Sequence, residues 1–459
     1  MMREPAFTLL RKPAPMALQG RRALVLGLGD TGLSIARWVA AQGGTVRVAD
    51  SRKMPPRVAD LKGELHTGKF KTSLLKDVDL VCISPGLTLE EEIVQAAIAG
   101  GVPVLGDIEL FAWAARGKVL AVTGTNGKST VTALSGHLLR EAGIDCEVAG
   151  NIGPPALEAL RARSAPPAAW VLELSSYQLE TTWSLDASAA AMLNLSPDHL
   201  DRYARFEDYR AAKARVFAGT GAQVLNRGDT LSMAMAVPGR RQVTFGLDAP
   251  AGDAQFGIRK RGGETWLAQG AHPFLDVRQL RISGWHNVAN ALAAAALARA
   301  AGASLEAIAA GLRSFAGLPH RLQRVAARAG IEYFDDSKGT NVGATIAALR
   351  GLERRLVLIA GGDGKGQDFA PLAEPVRRYA RGVLLIGRDA AAIERALAAS
   401  GVPVERCGSL EEAVRLAARR AQKGDAVLLS PACASFDMFR DYRHRGEAFA
   451  AAVKGLADG

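Results

Sequence analysis

Cysteine is scarce. The 459 residues hold four, Cys82, Cys146, Cys407 and Cys433, none in CxxC spacing. This excludes a disulfide-stapled scaffold and a cysteine-based zinc site, and positions in or beside expected strands predict buried thiols. Long apolar runs are missing too. The most conspicuous, 291–298, is largely alanine, too short to cross a bilayer and suited to a tightly packed helix. The opening stretch has no apolar segment of the secretory-signal kind, so a cytoplasmic protein without membrane insertion is expected. Basic residues occur in short pairs such as Arg354-Arg355 and Arg419-Arg420, without a basic tail or an aromatic-and-basic recognition motif. The formal charge of +11 therefore predicts a solvated face and small anionic substrates, not nucleic acid.

What remains is an ordinary globular composition, 48% apolar and 22% charged. The length suggests about three domains of roughly 150 residues each. Strand-like runs alternate with helical patterns, which predicts an α/β protein with parallel sheets. No compositional feature calls for an obligate oligomer, so a monomer is expected.

The most informative stretch is Gly124-Thr125-Asn126-Gly127-Lys128-Ser129-Thr130. It lies between a strand-like run, 118–122, and a helical one, 131–140. Glycines in such a turn let backbone N–H groups face inward, the helix N-terminus adds partial positive charge, Lys128 adds a full one, and a Ser/Thr hydroxyl can ligate Mg²⁺. The spacing is shorter than a strict Walker loop, whose first glycine would fall at Val122. The alternative is a glycine-rich βα turn without a ligand.

Upstream, Gly27-Leu-Gly29-Asp-Thr31-Gly32 follows strand 22–26 and precedes helix 33–41, and a second strand, 45–49, ends at Asp50. Taken alone, this dinucleotide fingerprint suggests a nicotinamide cofactor, or else glycines that only pack a βα unit. A third strand, 78–83, ends in Ser84-Pro85-Gly86.

Downstream, strand 169–172 ends at Glu173, where a carboxylate at the rim of a phosphate-loop sheet can hold Mg²⁺. Strand 187–193 opens into Asn194-Leu-Ser-Pro-Asp198-His199-Leu-Asp201-Arg202, whose histidine lies between two aspartates near the loop. Lys213, on helix 206–218, reads by itself as a solvated lysine. Residues 223–280 suggest a small appended sheet with a Gly262-Gly263 turn. Asn287 reads as a cap, and Asn290, a turn inside the helix, as a cap or a base contact. Gly317-Leu-Pro319-His320-Arg321 breaks the helical pattern and suggests a hinge. The following βα series places Asp335-Asp336-Ser337-Lys338-Gly339-Thr340-Asn341, Gly361-Gly-Asp-Gly-Lys365 and Ser430-Pro-Ala-Cys-Ala-Ser435 after strand ends, as in a Rossmann-like domain.

GTNGKST, ELSSYQLE, NLSPDHLDRY, GWHNVANALAA, GLPHRLQ, DDSKGTN, GGDGK and SPACASFDMF occur in this order over nearly the whole chain. The series resembles the Mur ligases, and within them the branch that adds D-glutamate. GTNGKST alone also admits folylpolyglutamate synthetases and sister Mur ligases. GLGDTG, SPACASFDMF and the lack of a DNPR segment favour the D-glutamate branch. The resemblance implies three domains, 1–116, 117–316 and 317–459: a Rossmann-like UDP-substrate domain, a phosphate-loop ATP domain and a Rossmann-like amino-acid domain. It implies an ATP-dependent amide ligase of peptidoglycan synthesis that joins D-glutamate to UDP-N-acetylmuramoyl-L-alanine through an acyl phosphate.

Carried over residue by residue, the resemblance implies that Gly124 to Thr130, Asn290, Arg321 and Asp336 bind ATP. Lys128 contacts its phosphates, and Ser129, Glu173, His199 and Lys213 hold two Mg²⁺ ions, Lys213 as a carbamate. Carbamylation turns a cation that repels Mg²⁺ into an anionic oxygen ligand. Thr31, Asp50, Ser84 and Gly86 face UDP, Asn151 contacts the muramoyl-alanine portion, and His199 also belongs to the residues that bind the UDP substrate. Thr340, Lys365, Ser435 and Tyr442 form the D-glutamate pocket, with Tyr442 in place of the expected phenylalanine. Asp30 adds a negative charge beside the diphosphate, and its side chain is expected to point away. The rival classes are a nicotinamide oxidoreductase built on GLGDTG and a nucleotide-gated binding protein without ligase chemistry.

Overall fold

The apolar runs Arg22–Leu26, Leu80–Ile83, Lys118–Thr123 and Ala169–Glu173 become strands buried on both faces, which is why they read as continuous and not alternating. The computed structural model describes residues 5–199 and 202–456. Asp201, the second aspartate beside His199, lies outside the described residues.

Three sheets follow one another along the chain. The first has five parallel strands in the order Glu64–Thr67, Thr45–Asp50, Arg22–Leu26, Leu80–Ile83, Val104–Leu105. Chain order reverses between Arg22–Leu26 and Leu80–Ile83, and this switch point is where open α/β sheets bind ligands. The Ser84 hydroxyl crosses it, donating to Gly27 O at 3.0 Å.

In the second sheet Lys118–Thr123 lies between Ala189–Met192 and Ala169–Glu173, parallel to both. The phosphate loop, Glu173 and Asn194 therefore leave the sheet at the same edge. The strands expected within 223–280 hydrogen-bond onto this sheet and extend it to nine strands. Gln255–Arg261 and Glu264–Gln269 pair antiparallel around Gly262 and Gly263, whose φ values of 58° and 84° suit a tight hairpin turn. The alanine run sits in helix Trp285–Ala301, buried from Ala291 to Ala298 against the phosphate-loop sheet.

The third sheet has six strands, in the order Gln323–Arg328, Ile331–Asp335, Ala426–Leu429, Leu356–Gly361, Ala380–Ile386, Val404–Arg406. Gln323–Arg328 alone is antiparallel and was not expected, since half-exposed Gln-Arg-Val-Ala-Ala-Arg carries little strand signal. Parallel pairing puts Asp335, Gly361 and Leu429 at one edge with the polar loops that follow them. Helix Phe206–Ala214 ends sooner than expected and continues as a 3₁₀ turn, Arg215–Phe217. All four cysteines are free and buried, as expected. Phe111 meets Trp170 edge to face at 5.1 Å, so the first two lobes share one core.

Candidate active site

The phosphate loop is held by side chains on every side. Gly127 caps helix Lys128–Glu141 at φ 85°, and a Cβ there would lie 2.5 Å from Asn290 Oδ1. Only glycine fits this approach, which places Asn290 against the loop. Asn194 Oδ1 accepts from Asn126 N at 2.8 Å, and its Nδ2 donates to Asn126 O at 3.0 Å. The Thr125 hydroxyl accepts from Ser196 N at 3.0 Å and lies 3.1 Å from the Tyr209 hydroxyl. Lys128 Nζ folds back to donate to Gly124 O at 3.0 Å and Thr125 O at 2.9 Å. Burial lowers the Lys128 pKa, while Glu173 and Asp198 oppose that shift. Ser129 and Thr130 are buried at the start of the helix.

Glu173 ends its strand almost fully buried. Oε1 accepts from Asn151 Nδ2 at 2.6 Å, while Oε2 is buried without a hydrogen-bond partner. An orphaned carboxylate oxygen in a dry site is costly unless a cation meets it. Lys213 is buried beside it in the loop's shadow, with Nζ donating to Gly124 O at 2.8 Å and lying 4.8 Å from the Tyr209 ring centroid. Burial, reinforced by repulsion from Lys128, holds its pKa well below the usual lysine value. His199 adopts φ 56°, with Nδ1 2.8 Å from the Tyr177 hydroxyl and Nε2 3.8 Å from Asp198 Oδ2. Among the described residues no group of three or more His, Cys, Asp or Glu is arranged to hold a metal ion.

The third lobe closes directly over the loop. Arg321 Nη2 donates to Ser129 Oγ at 2.7 Å. Asn341 caps helix Val342–Leu352, and its Nδ2 donates to Asn126 Oδ1 and to Asp198 Oδ2, each at 3.2 Å. Asp336 accepts from the Ser430 hydroxyl at 2.7 Å, and burial raises its pKa to about 7. Lys338 Nζ lies 4.0 Å from the Tyr442 ring centroid, and burial, then Arg321, lower its pKa to about 8. The Tyr442 ring thus lies under the Lys338 cation, and Thr340 follows Lys338 by two residues. Ser435 is buried, whereas Lys365 is exposed, with φ 50°.

Of the residues read for the nucleotide end, Thr31 and Gly86 flank the switch point with Ser84. Asp50 is already engaged. Leu28 N donates to it at 2.6 Å and Arg52 grips it with Nε at 2.8 Å and Nη2 at 2.6 Å. These bonds outweigh the burial that would raise its pKa and hold it at about 2. Asp30 accepts from Arg57 Nε at 2.6 Å, so its charge is balanced by a partner as well as turned outward.

Residue-by-residue reading missed several supports. Asn194, Asn341, Arg202 and Tyr177 stood inside recognised motifs, but their partners are 22 to 215 positions away. Arg445 is buried and ties the Ser337 and Cys433 carbonyls together, with Nη2 at 2.8 Å and 3.1 Å. Helix Tyr442–Lys454 holds two arginines, Arg443 and Arg445, and nothing in their spacing marked the second for that role.

Comparison with known proteins agrees with this arrangement. The patterns of the Mur ligase MurD-like N-terminal domain, the Mur ligase middle domain and the Mur ligase glutamate ligase domain match residues 21–106, 122–298 and 320–433. A UDP-N-acetylmuramoylalanine–D-glutamate ligase of Nitrosospira multiformis is 53% identical, covering 96% of this chain and 97% of its own. Proteins of the same name from Methylobacillus flagellatus and Thiobacillus denitrificans are each 54% identical, covering 96% of this chain and 98% of their own. Among solved structures, the UDP-N-acetylmuramate-alanine ligase of Thermotoga maritima shares the fold, with a TM-score of 0.60 at 18% identity over 94% of this chain and 99% of its own. MurF of Acinetobacter baumannii does so with a TM-score of 0.61 at 18% identity over 96% of this chain and 92% of its own. No helix is long and apolar enough to cross a membrane among the described residues. Full-length identity of this order, with a phosphate loop bridged to a third lobe, places the chain in the Mur ligase family.

Proposed function

We propose that this chain is the ATP-dependent ligase that joins D-glutamate to UDP-N-acetylmuramoyl-L-alanine, releasing ADP and phosphate. In this reading it is a cytoplasmic monomer acting in peptidoglycan precursor synthesis, with lobes bounded at 116/117 and 316/317. The observation that carries the reading is the convergence of Lys128, Lys213, Lys338 and Arg321 around the sparse carboxylates Glu173 and Asp198. Mutually repelling cations in a buried cleft suit a polyphosphate and an anionic acceptor, which relieve the repulsion on binding.

The chemistry has two steps. The alanine carboxylate attacks the γ-phosphorus of ATP and ADP leaves. The D-glutamate amine, having lost a proton, then attacks the acyl carbon and phosphate leaves. Two anions must approach in the first step, and Lys128 and Arg321 screen them. The acyl phosphate must be kept from water in the second, which suits the third lobe lying on the loop through Arg321 and Asn341.

Mg²⁺ fits the orphaned Glu173 oxygen, and Ser129, Glu173, His199 and carbamylated Lys213 would hold two ions that offset phosphate charge. A lysine with a depressed pKa presents the neutral amine that CO₂ requires, which supports carbamylation at Lys213. The ATP would take Gly124 to Thr130, Asn290, Arg321 and Asp336. Thr31, Asp50, Ser84, Gly86, Asn151 and His199 would take the UDP substrate, and Thr340, Lys365, Ser435 and Tyr442 the D-glutamate.

An amino-acid panel tests the assignment. With UDP-N-acetylmuramoyl-L-alanine and ATP, phosphate release should require D-glutamate. Release with L-alanine or meso-diaminopimelate but not D-glutamate would overturn it, as would tight NAD(P)H binding without ATP turnover.

A further inference from the structure

Arg202 lies in the cleft between the first two lobes with 12% of its side chain exposed. Nη1 donates to Leu87 O at 2.6 Å, and Nη2 donates to Glu180 Oε2 at 2.6 Å. Its guanidinium carbon is 4.5 Å from the Tyr177 ring centroid, and the Tyr177 hydroxyl in turn reaches His199 Nδ1 at 2.8 Å. Leu87 directly follows Gly86, in the loop at the nucleotide end of the substrate site. The His199 ring lies 6.2 Å from that of Tyr209, whose hydroxyl is 3.1 Å from Thr125 of the phosphate loop, so in the ligase reading His199 would face the reacting, muramoyl-alanine end. One planar, charged fork would thus tie together loops that serve opposite ends of one substrate.

Desolvation offsets much of what a buried ion pair gains over an apolar pair, although removing one partner alone leaves the other charge buried and unpaired. What a guanidinium supplies is fixed geometry, because its donors lie in one plane. We propose that Arg202 is a positioning residue that sets the span between loop 84–87 and His199, selecting ligands that carry both a uridine diphosphate and a muramoyl-peptide end. The proposal rests on the ligase reading above.

Calorimetric binding of UDP and of UDP-N-acetylmuramoyl-L-alanine tests it, because UDP occupies only one end. Arg202→Met should leave UDP affinity within about twofold and weaken the full substrate about tenfold, with KM for ATP and D-glutamate changed less than about threefold. Arg202→Lys should recover part of the loss. Tyr177→Phe keeps the ring but removes the hydroxyl, and combined with Arg202→Met it should cost less than the product of the single effects. Glu180→Gln gives the same comparison if Arg202→Met does not fold. Equal weakening of UDP and the full substrate, parallel KM changes for all three substrates, or fully multiplicative effects would overturn the role of Arg202. A wild-type protein with no D-glutamate-dependent phosphate release would instead overturn the ligase reading, and this proposal with it.

Discussion

Arg321 Nη2 donates to the Ser129 hydroxyl at 2.7 Å, joining the third lobe to the phosphate loop across 192 positions of sequence. The hydroxyl proposed to hold Mg²⁺ is engaged by a cation, so loading the site must draw Arg321 from Ser129 toward phosphate. Arg321→Ala should lower kcat/KM for ATP about a hundredfold and leave KM for D-glutamate nearly unchanged. Arg321→Lys should recover little, because one ammonium does not reproduce the fork. ATP saturation curves check this, and an unchanged curve for Arg321→Ala would refute it.

Lys213 is buried among groups that leave its ammonium poorly stabilised. Lys213→Ala should reduce ligation at least about a thousandfold, and short carboxylic acids should restore part of it by supplying an oxygen ligand. A ¹³C carbamate resonance after exposure to labelled CO₂ should be present in the wild type and absent from the variant. Its absence from the wild type would remove carbamylation from the mechanism.

Gly127 combines a left-handed backbone with a close approach to Asn290. Gly127→Ala should cost about 1–2 kcal/mol from the backbone alone and should also abolish ATP binding. Adding Asn290→Ala relieves the contact but not the backbone strain, so stability should return only in part. Chemical denaturation with nucleotide titration measures both effects.

Asp107 is buried between the first two lobes, accepting from Gln178 Nε2 at 3.1 Å, and burial raises its pKa to about 6. The folded protein therefore keeps this proton between pH 3.8 and about 6, where the unfolded chain has released it. Asp107 thus makes stability fall as pH rises through that window, after which the deficit stays constant. Asp107→Asn should gain stability relative to wild type between pH 4 and pH 8, by no more than about 3 kcal/mol. Urea unfolding at both pH values decides it, since a pH-independent difference would contradict the assignment.

Much of this site could be read in one dimension. Lys128, Glu173, Asn194 and His199 each follow a buried strand, and parallel strands deliver their C-terminal ends to one edge. Asp50 shows where such reading stops. Its position at a strand end is as expected, but Arg52 two residues on occupies its carboxylate. Strand Gln323–Arg328 escaped because its residues are half exposed and its pairing, not its composition, makes it a strand.

The phosphate loop, the alternating βα series and the ordered motifs were legible along the chain, because local backbone demands and apolar runs are written in consecutive residues. What those motifs touch emerged in three dimensions. Arg321 on Ser129, Asn341 on Asp198, Arg202 between Leu87 and Glu180, and the unpartnered oxygen of Glu173 all arise between lobes or from burial. Long side chains reach across distances that spacing along the chain does not encode, and desolvation depends on what the whole fold places around a charge.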